Sequence, residues 1–249
     1  NFIMTKTLIL IPSRMAATRL PGKPLLKINN LSIITHVFKR AEEANIGEVV
    51  VATEDQEIIE DVLKNGGKAV LTQSDHKTGT DRIFEAYKKL NIKNVDYILN
   101  LQGDEPDINK NDIINLNNFM INSDAELGTL AAKIKDDKML NNKNVVKVIV
   151  ENKLEENNFP KALNFTRENL STGNQNIYHH IGIYSYKTNI LEKFVSLDQT
   201  NNEKKNKLEQ LRALDNNLKI NVALANSSPI GVDTEEDYID IKKIMEYKI

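Results

Sequence analysis

The chain has 249 residues, and 33 Lys and Arg against 35 Asp and Glu leave a formal net charge of −2, with no cysteine at all. That length is enough to bury a real core. The near-neutral charge excludes bulk adhesion to nucleic acid or an anionic membrane, and the missing cysteine excludes a disulfide framework or a thiolate metal site.

The first informative stretch runs from Leu8 to Pro24, LILIPSRMAATRLPGKP. It opens as an apolar run suited to a strand buried on both faces of a parallel sheet. It then breaks at Pro12 into a loop that carries Arg14, Arg19 and Lys23. Pro12, Pro21 and Pro24 stiffen that loop, and Gly22 is expected to let backbone approach a ligand closely. Read from composition alone it is a basic surface loop. A long, stiff loop with spaced cations straight after an apolar strand instead suits a polyphosphate, whose charge needs several donors. It is no Walker A loop, because Pro24 follows Lys23 where Ser or Thr is required.

From Leu31 to Asn45, Ile33, Ile34, Val37, Phe38 and Ala41 recur at helical spacing. Glu48 to Thr53 reads as a second buried strand. Thr53 and Gln56 then predict a capping box for a helix carrying Ile58, Ile59, Val62 and Leu63. Gly66-Gly67 ends that helix, and Ala69 to Leu71 is a short third strand. Strand and helix alternating at this spacing predict right-handed βαβ units on a parallel sheet.

Asp75 to Arg82 (DHKTGTDR) is a polar loop leading into a helix with Ile83, Phe84, Tyr87 and Leu90, for which Thr80 is the predicted N-cap. Such a loop offers backbone N–H groups to an anion or a base edge. Tyr97 to Leu101 is the fourth strand and delivers Gln102-Gly103-Asp104-Glu105-Pro106. A carboxylate at the carboxyl end of a central strand sits where open α/β sheets bind ligands, so Asp104 is read as a hard oxygen ligand for Mg²⁺. Glu105-Pro106 is read as structural, setting the exit into a helix with Ile113, Ile114 and Met120.

Strands follow at Leu127 to Ala132, Val145 to Val150 and Ala162 to Thr166, the last ending at Arg167. Tyr178 to Tyr186 alternates like a half-exposed strand, with His180, Gly182 and Tyr184 on one face and His179, Ile181 and Ile183 on the other. Lys204 to Asn216 is predicted as one helix, carrying Glu209, Gln210 and Arg212. Ile220 to Ala225 is the last strand. Thr234 is the predicted N-cap of the final helix, with Asp237 three residues on, which leaves the Asp233 carboxylate free of capping. No repeat or Pro/Gly/Ser linker divides the chain. No leader pattern and no apolar run of bilayer length occur, so a cytoplasmic protein without membrane or nucleic-acid partners is expected.

Taken in order, Pro12-Ser-Arg-Met-Ala-Ala-Thr-Arg-Leu-Pro-Gly-Lys-Pro-Leu25, His76 to Arg82, Gln102-Gly-Asp-Glu-Pro106, Phe165-Thr-Arg167, His180-Ile-Gly-Ile-Tyr184, Leu208-Glu-Gln-Leu-Arg212 and Gly231-Val-Asp-Thr234 resemble the motifs of the CMP-Kdo synthetases. These are the 3-deoxy-manno-octulosonate (Kdo) cytidylyltransferases. The resemblance covers nearly the whole chain after Met4. It implies a doubly wound, mostly parallel α/β fold of the nucleotide-diphospho-sugar transferase kind. It also implies one cytidylyltransferase domain over residues 4–249, with a dimerisation and sugar-binding lobe within 133–215, acting as a homodimer.

The reaction it implies joins CTP and Kdo into CMP-Kdo and pyrophosphate for lipopolysaccharide synthesis. Mg²⁺ is then the sole cofactor, held by Asp104 and Asp233, and takes the part of a general base by lowering the hydroxyl's pKa. Arg14, Arg19, Lys23, Thr78, Gly79, Thr80 and Arg82 hold the nucleotide, with Thr78 standing where Ser is usual. Gln102, Arg167, His180, Tyr184, Glu209 and Gln210 surround the sugar acid, and Lys23, Arg14, Asp104 and Asp233 form the catalytic set. Glu168-Asn169-Leu170 replaces a Pro-containing segment and Thr234-Glu235 replaces Thr-Pro. The first change keeps open an amino-substituted Kdo or a sialic-acid-like sugar. A non-catalytic nucleotide-binding module is the rival from another class, and the retention of both Asp104 and Asp233 argues against it.

Overall fold

β1 (Thr7–Ser13) is buried throughout except at Pro12, as its unbroken apolar run requires. The computed structural model describes residues 4–171, 173 and 176–247. It divides into two units, one made of residues up to 113 together with 229 onward, the other of residues 114–228.

In the first unit β1 leads through the cationic loop into a 3-10 turn, Lys23–Leu25, and a two-residue hairpin, β2 (Lys27–Ile28) and β3 (Leu31–Ser32). The hairpin escapes sequence reading because its turn is Asn29-Asn30. Both residues take positive φ (48° and 63°), the conformation for which Gly is the usual signal. Ser32 caps α1 (Ile33–Glu43) by accepting from Thr35 N–H. β4 (Gly47–Thr53), α2 (Gln56–Lys64), β5 (Ala69–Leu71), α3 (Gly79–Leu90) and β6 (Tyr97–Asn100) follow. β1 pairs in parallel with β4 on one side and β6 on the other, and β5 extends β4, again in parallel. The parallel βαβ sheet expected from the strand–helix spacing is therefore present.

Two caps differ from expectation. The Thr53–Gln56 capping box does not form: Asp55 holds the N-cap position of α2, and Thr53 Oγ1 accepts from Asp55 N–H at 3.1 Å. At α3 the cap is Thr78, which accepts from Asp81 N–H at 3.2 Å, and Thr80 is the second helical residue. Both Thr78 and Thr80 can cap, and Asp81 N–H lies three residues beyond Thr78, the spacing an N-cap hydroxyl bridges.

In the second unit α4 (Lys110–Ile121) leads to β7 (Leu127–Ala132), the one-turn α5 (Asp137–Leu140), β8 (Lys147–Val150), β9 (Ala162–Thr166) and β10 (Asn176–Lys187). The boundary between the units falls within α4. Helices α6 (Thr188–Ser196), α7 (Asn201–Asn206) and α8 (Leu211–Asp215) precede β11 (Ile220–Leu224). β10 runs antiparallel to both β7 and β8, β8 pairs antiparallel with β9, and β11 is parallel to β7. The single helix expected over 204–216 is broken. Lys207 takes a left-handed φ of 54°, which ends α7 before α8 begins.

Pro229 onward belongs to the first unit and carries α9 (Glu235–Glu246), capped by Thr234 and Asp237 in a full capping box as read from sequence. Ile28, Ile33, Val232 and Ile241 form one buried cluster there, so the β2–β3 hairpin and α9 hold the segment around Val232 in place. Among the described residues no helix is long and apolar enough to cross a membrane.

Candidate active site

Beyond the carboxyl ends of β1 and β6 the first unit holds a cleft of about 420 Å³ lined by Arg14, Arg19, Lys23, Gln102, Asp104 and Asp233, among others. Two backbone features build it. Gly22 has φ +76° and donates its N–H to Met15 O at 2.9 Å, which folds the cationic loop back on itself. Its part is thus conformational rather than a close approach to ligand, since it does not line the cleft. A Cβ on Gly103 would lie 2.8 Å from Pro12 O, so only glycine lets the Gln102–Asp104 turn close beneath the end of β1.

Lys23 is the centre of charge. Its Nζ donates to Asp104 Oδ2 at 3.0 Å, Val232 O at 2.9 Å and Asp233 Oδ1 at 3.2 Å. Burial alone would lower its proton affinity, and the two carboxylates outweigh that, so the ammonium stays protonated above its ordinary range. Val232 N–H donates to Asp104 O at 2.9 Å and ties the two carboxylate-bearing segments together. Arg19 approaches Asp233 Oδ2 at 3.8 Å and is largely exposed, so it is loosely held. Arg14 is exposed at the rim.

Next to this pair, Glu105 is pushed well above the carboxylate range by burial, with the charges of Asp104 and Asp233 adding to it. Its Oε2 has no hydrogen-bond partner among the described residues. The buried Ser13 hydroxyl at the cleft wall is likewise unpartnered.

The opposite wall is the start of α3. Thr78, Gly79 and Arg82 line the cleft, while Thr80 is buried in the helix and does not. Thr78 spends its hydroxyl accepting the Asp81 N–H at the cap, which leaves the Gly79 and Thr80 N–H groups of the first turn as donors toward an anion. The Arg82 guanidinium donates to Thr72 Oγ1 at 2.5 Å, Gln73 O at 3.0 Å and Glu54 Oε2 at 3.0 Å. It is buried and braces the wall. His76 is bonded to Glu85. Glu85 is lowered to about 2: burial opposes this, but the bonds from His76, Gln73 N–H and Lys89 prevail.

Sequence reading missed Asp55, whose Oδ2 accepts Met15 N–H at 2.7 Å and so anchors the cationic loop. Only its freedom from the expected capping box would have signalled this.

The remaining candidates lie in the second unit. On β10, His180 and Tyr184 keep one side of the strand, their rings 5.6 Å apart, although a bulge separates them. The bulge inserts two residues on β10 against β7, which preserves the alternation. Thr129 Oγ1, on β7, fills it. It lies 2.7 Å from Ile183 O, 3.2 Å from Ile181 O and 3.0 Å from His180 Nε2. A hydroxyl has one proton, and the shortest acceptor is Ile183 O, so the histidine donates from Nε2–H and keeps Nδ1 as an acceptor. Burial, helped by His179, depresses His180 to about 3, and the ring is neutral. Tyr184 is pushed well above 10 by burial, with Tyr186 and Glu209 adding to it.

Glu209 and Gln210 sit in the turn before α8. That turn is held by a buried bidentate pair in which Arg212 donates to Glu203 at 2.9 and 2.6 Å. Arg167 leaves β9 half-exposed, its Nη1 only 3.4 Å from Asn144 O.

No group of three or more His, Cys, Asp or Glu suited to a metal occurs among the described residues. Mg²⁺ does not require one, since it is commonly held by one or two carboxylates plus phosphate oxygens and water. Asp104 and Asp233 both bond one ammonium, so they already converge on a single cation, and the donor set fits Mg²⁺ shared with a polyphosphate.

The chain is similar to several known proteins. A family model described as cytidylyltransferase matches residues 8–220. A 3-deoxy-manno-octulosonate cytidylyltransferase of Rhodopseudomonas palustris (strain BisB18) is 45% identical over 244 residues, spanning 98% of this chain and 99% of that protein. The protein of that name from Bartonella bacilliformis is 42% identical over 245 residues, spanning 96% of this chain and 98% of its own. A solved structure of CMP:2-keto-3-deoxy-manno-octonic acid synthetase complexed with CTP superposes with a TM-score of 0.89 at 33% identity, covering 98% of this chain and all of that one. A cytidylyltransferase from Leptospira borgpetersenii shares the fold at a TM-score of 0.64 and 20% identity, spanning 99% of this chain and 89% of its own. The chain belongs to the cytidylyltransferases, within the family of 3-deoxy-manno-octulosonate cytidylyltransferases, and is a nucleotidyltransferase.

Proposed function

We propose that the protein transfers CMP from CTP to the anomeric hydroxyl of Kdo, giving CMP-Kdo and pyrophosphate, with Mg²⁺ as cofactor, in the cytoplasm and for lipopolysaccharide synthesis. The observation that carries this reading is the meeting of Lys23, Asp104 and Asp233 at one end of a cationic cleft, in a chain of this family. In the reaction the hydroxyl oxygen forms a bond to the α-phosphorus of CTP as the bond from that phosphorus to the bridging oxygen breaks. The electron pair leaves with pyrophosphate, and the hydroxyl proton goes to solvent.

Little covalent work is asked of the protein, so positioning and neutralisation of charge supply most of the acceleration. Lys23, Arg14 and Arg19 meet the charge that builds on the departing pyrophosphate. Gly79 and its neighbours at the start of α3 offer N–H groups to the nucleotide. Asp104 and Asp233 would hold Mg²⁺, which when bound neutralises phosphate oxygens and lowers the pKa of the attacking hydroxyl. Contacts to the sugar acid are assigned to Arg167, His180, Tyr184, Glu209 and Gln210 of the second unit. Pyrophosphate release with CTP and Mg²⁺ across a panel of keto-sugar acids tests the proposal. Kdo is expected to be the best acceptor. Glu168-Asn169 after Arg167 favours 8-amino-Kdo as the second choice, and release with no keto-sugar acid overturns the reading.

The active species is proposed to be a homodimer. β9 pairs with β8, and Leu163 on β9 is 60% exposed, so an apolar residue stands on an edge strand that a second copy can cover. Light scattering is expected to give twice the chain mass of 28.2 kDa, and a monomer at micromolar concentration overturns this part.

A further inference from the structure

Lys147 has no exposed surface. Fully buried lysines are uncommon, because taking the ammonium out of water is costly unless every proton finds an acceptor. Here all three do. Nζ donates to Asn142 O at 2.9 Å, Arg167 O at 3.2 Å and Glu168 O at 3.1 Å. The acceptors are neutral main-chain carbonyls, which satisfy the donors without cancelling the charge. Burial lowers the proton affinity of Lys147, the nearby Arg167 charge lowers it further, and Glu168 acts the other way.

The carbonyls it holds have a pattern. Arg167 and Glu168 are consecutive, and they are the first residues past the end of β9. Asn142 belongs to the turn before β8, where its Oδ1 accepts Asn144 N–H at 2.9 Å. Lys147 itself pairs with Thr166 in the β8–β9 register, one residue before Arg167. One ammonium thus staples the exit of β9 to the turn that begins β8. The Arg167 side chain, by contrast, has a single long bond among the described residues, 3.4 Å to Asn144 O in that same turn. The arginine is therefore fixed at its backbone and nearly free at its guanidinium. A core lysine that served packing alone would need no charge here, since a methionine fills the same length.

We propose that Lys147 is a positioning residue for Arg167, fixing its main chain and adding positive charge beside it, so that the two together form the anion-recognising corner that takes the carboxylate of the sugar acid. This rests on the assignment of Arg167 to the sugar acid made above. Glu168 lies at the edge of the same corner and tempers the positive field, which suits a bound carboxylate rather than a more highly charged phosphate.

The test is steady-state kinetics on the full-length enzyme with Kdo and CTP varied separately, for K147M, R167A and the double variant. K147M is expected to raise KM for Kdo about tenfold while leaving KM for CTP within about twofold, a split that general loosening of the fold would not give. In the R167A background K147M is expected to add nothing to KM for Kdo, because the residue it positions is gone. Equal factors in the two backgrounds overturn the proposal, as does a K147M enzyme with unchanged KM for Kdo while R167A is impaired. If R167A itself leaves KM for Kdo unchanged, the assignment of Arg167 falls and the role of Lys147 falls with it. K147Q, which keeps a donor without the charge, is read by the same ratio if K147M does not fold.

Discussion

Lys23 Nζ and Asp104 Oδ2 meet at 3.0 Å although 81 residues separate them in the chain. The same ammonium bonds Asp233 at 3.2 Å, so three segments of the first unit converge on one proton-bearing group. The arrangement offsets the repulsion between two carboxylates, and in the proposed function it is where a divalent cation and a polyphosphate would be held together.

The two aspartates are expected to be needed for turnover rather than for folding. Asp104→Asn and Asp233→Asn should each lower kcat by about a hundredfold or more, with melting temperatures near that of the parent protein. Asn keeps the shape of each side chain and one acceptor for Lys23, so the fold keeps its contacts while the anionic charge is lost. Normal turnover in either variant would remove the residue from the catalytic set. Lys23→Ala should instead raise KM for CTP far more than KM for the sugar acid, because in the proposed function its positive charge meets phosphate.

Asp55 supplies a sharper test of the cationic loop. Its carboxylate accepts Met15 N–H at 2.7 Å and makes no side-chain cap on α2. Asp55→Ser installs a good N-cap residue yet is too short to reach the loop, so the helix is kept and the anchor is lost. Loss of CTP affinity of about tenfold with unchanged thermal stability is the expected result, since a misplaced positioning element costs rate or binding well before it costs stability. An unchanged KM for CTP would mean that the loop holds itself through Gly22 and Met15 alone.

How much of this was legible beforehand differs between the two halves of the molecule. In the first unit β1, β4, β5 and β6 are short apolar runs alternating with amphipathic helices, and that alternation is what identifies a parallel βαβ sheet. The cations and Asp104 could be placed at strand ends for the same reason. What could not be read is which of several equivalent polar residues wins a local contest. Thr78 rather than Thr80 caps α3, and Asp55 turns away from its helix toward Met15, because tertiary distances decide between sites of equal propensity. The break at Lys207 is of this kind too. Nothing in KKNKLEQLRALDN forbids a continuous helix, and the buried Arg212–Glu203 pair is made across the break. Lys147 was invisible as anything but one polar residue in an apolar strand.

The depressed His180 gives a prediction about acid stability. Its ring is neutral in the fold and takes up a proton only near pH 3, whereas the unfolded chain protonates it near 6.5. Between those values the unfolded state binds more protons, so stability falls as the pH is lowered through that window and is fully present above it. His180→Gln removes the titrating group, and its melting temperature should fall less steeply than that of the parent protein over the same pH range. Parallel slopes would mean that the ring is solvated and that the bond to Thr129 is not made in solution.

Sugar choice is the most demanding expectation. Kdo presents a carboxylate beside its anomeric carbon and a row of hydroxyls, so its recognition needs one cation and several neutral donors and acceptors. Arg167 can supply a charged planar fork. His180, donating from Nε2–H to Thr129, keeps Nδ1 as an acceptor, and Tyr184, held well above 10, keeps its phenolic proton as a donor. Groups of this kind reject a ligand that leaves them unpaired, because a buried polar atom without a partner loses its full desolvation energy. The N-acyl group of a sialic acid adds bulk and alters the pattern of hydroxyls together. Kdo should therefore be favoured over N-acetylneuraminate by at least roughly a thousandfold in kcat/KM. Thr129→Val should erode that preference by releasing the tautomer of His180, with KM for CTP unchanged. Comparable efficiency on N-acetylneuraminate would overturn the substrate assignment, whereas a preference for 8-amino-Kdo would move it to a neighbouring sugar with the same reaction.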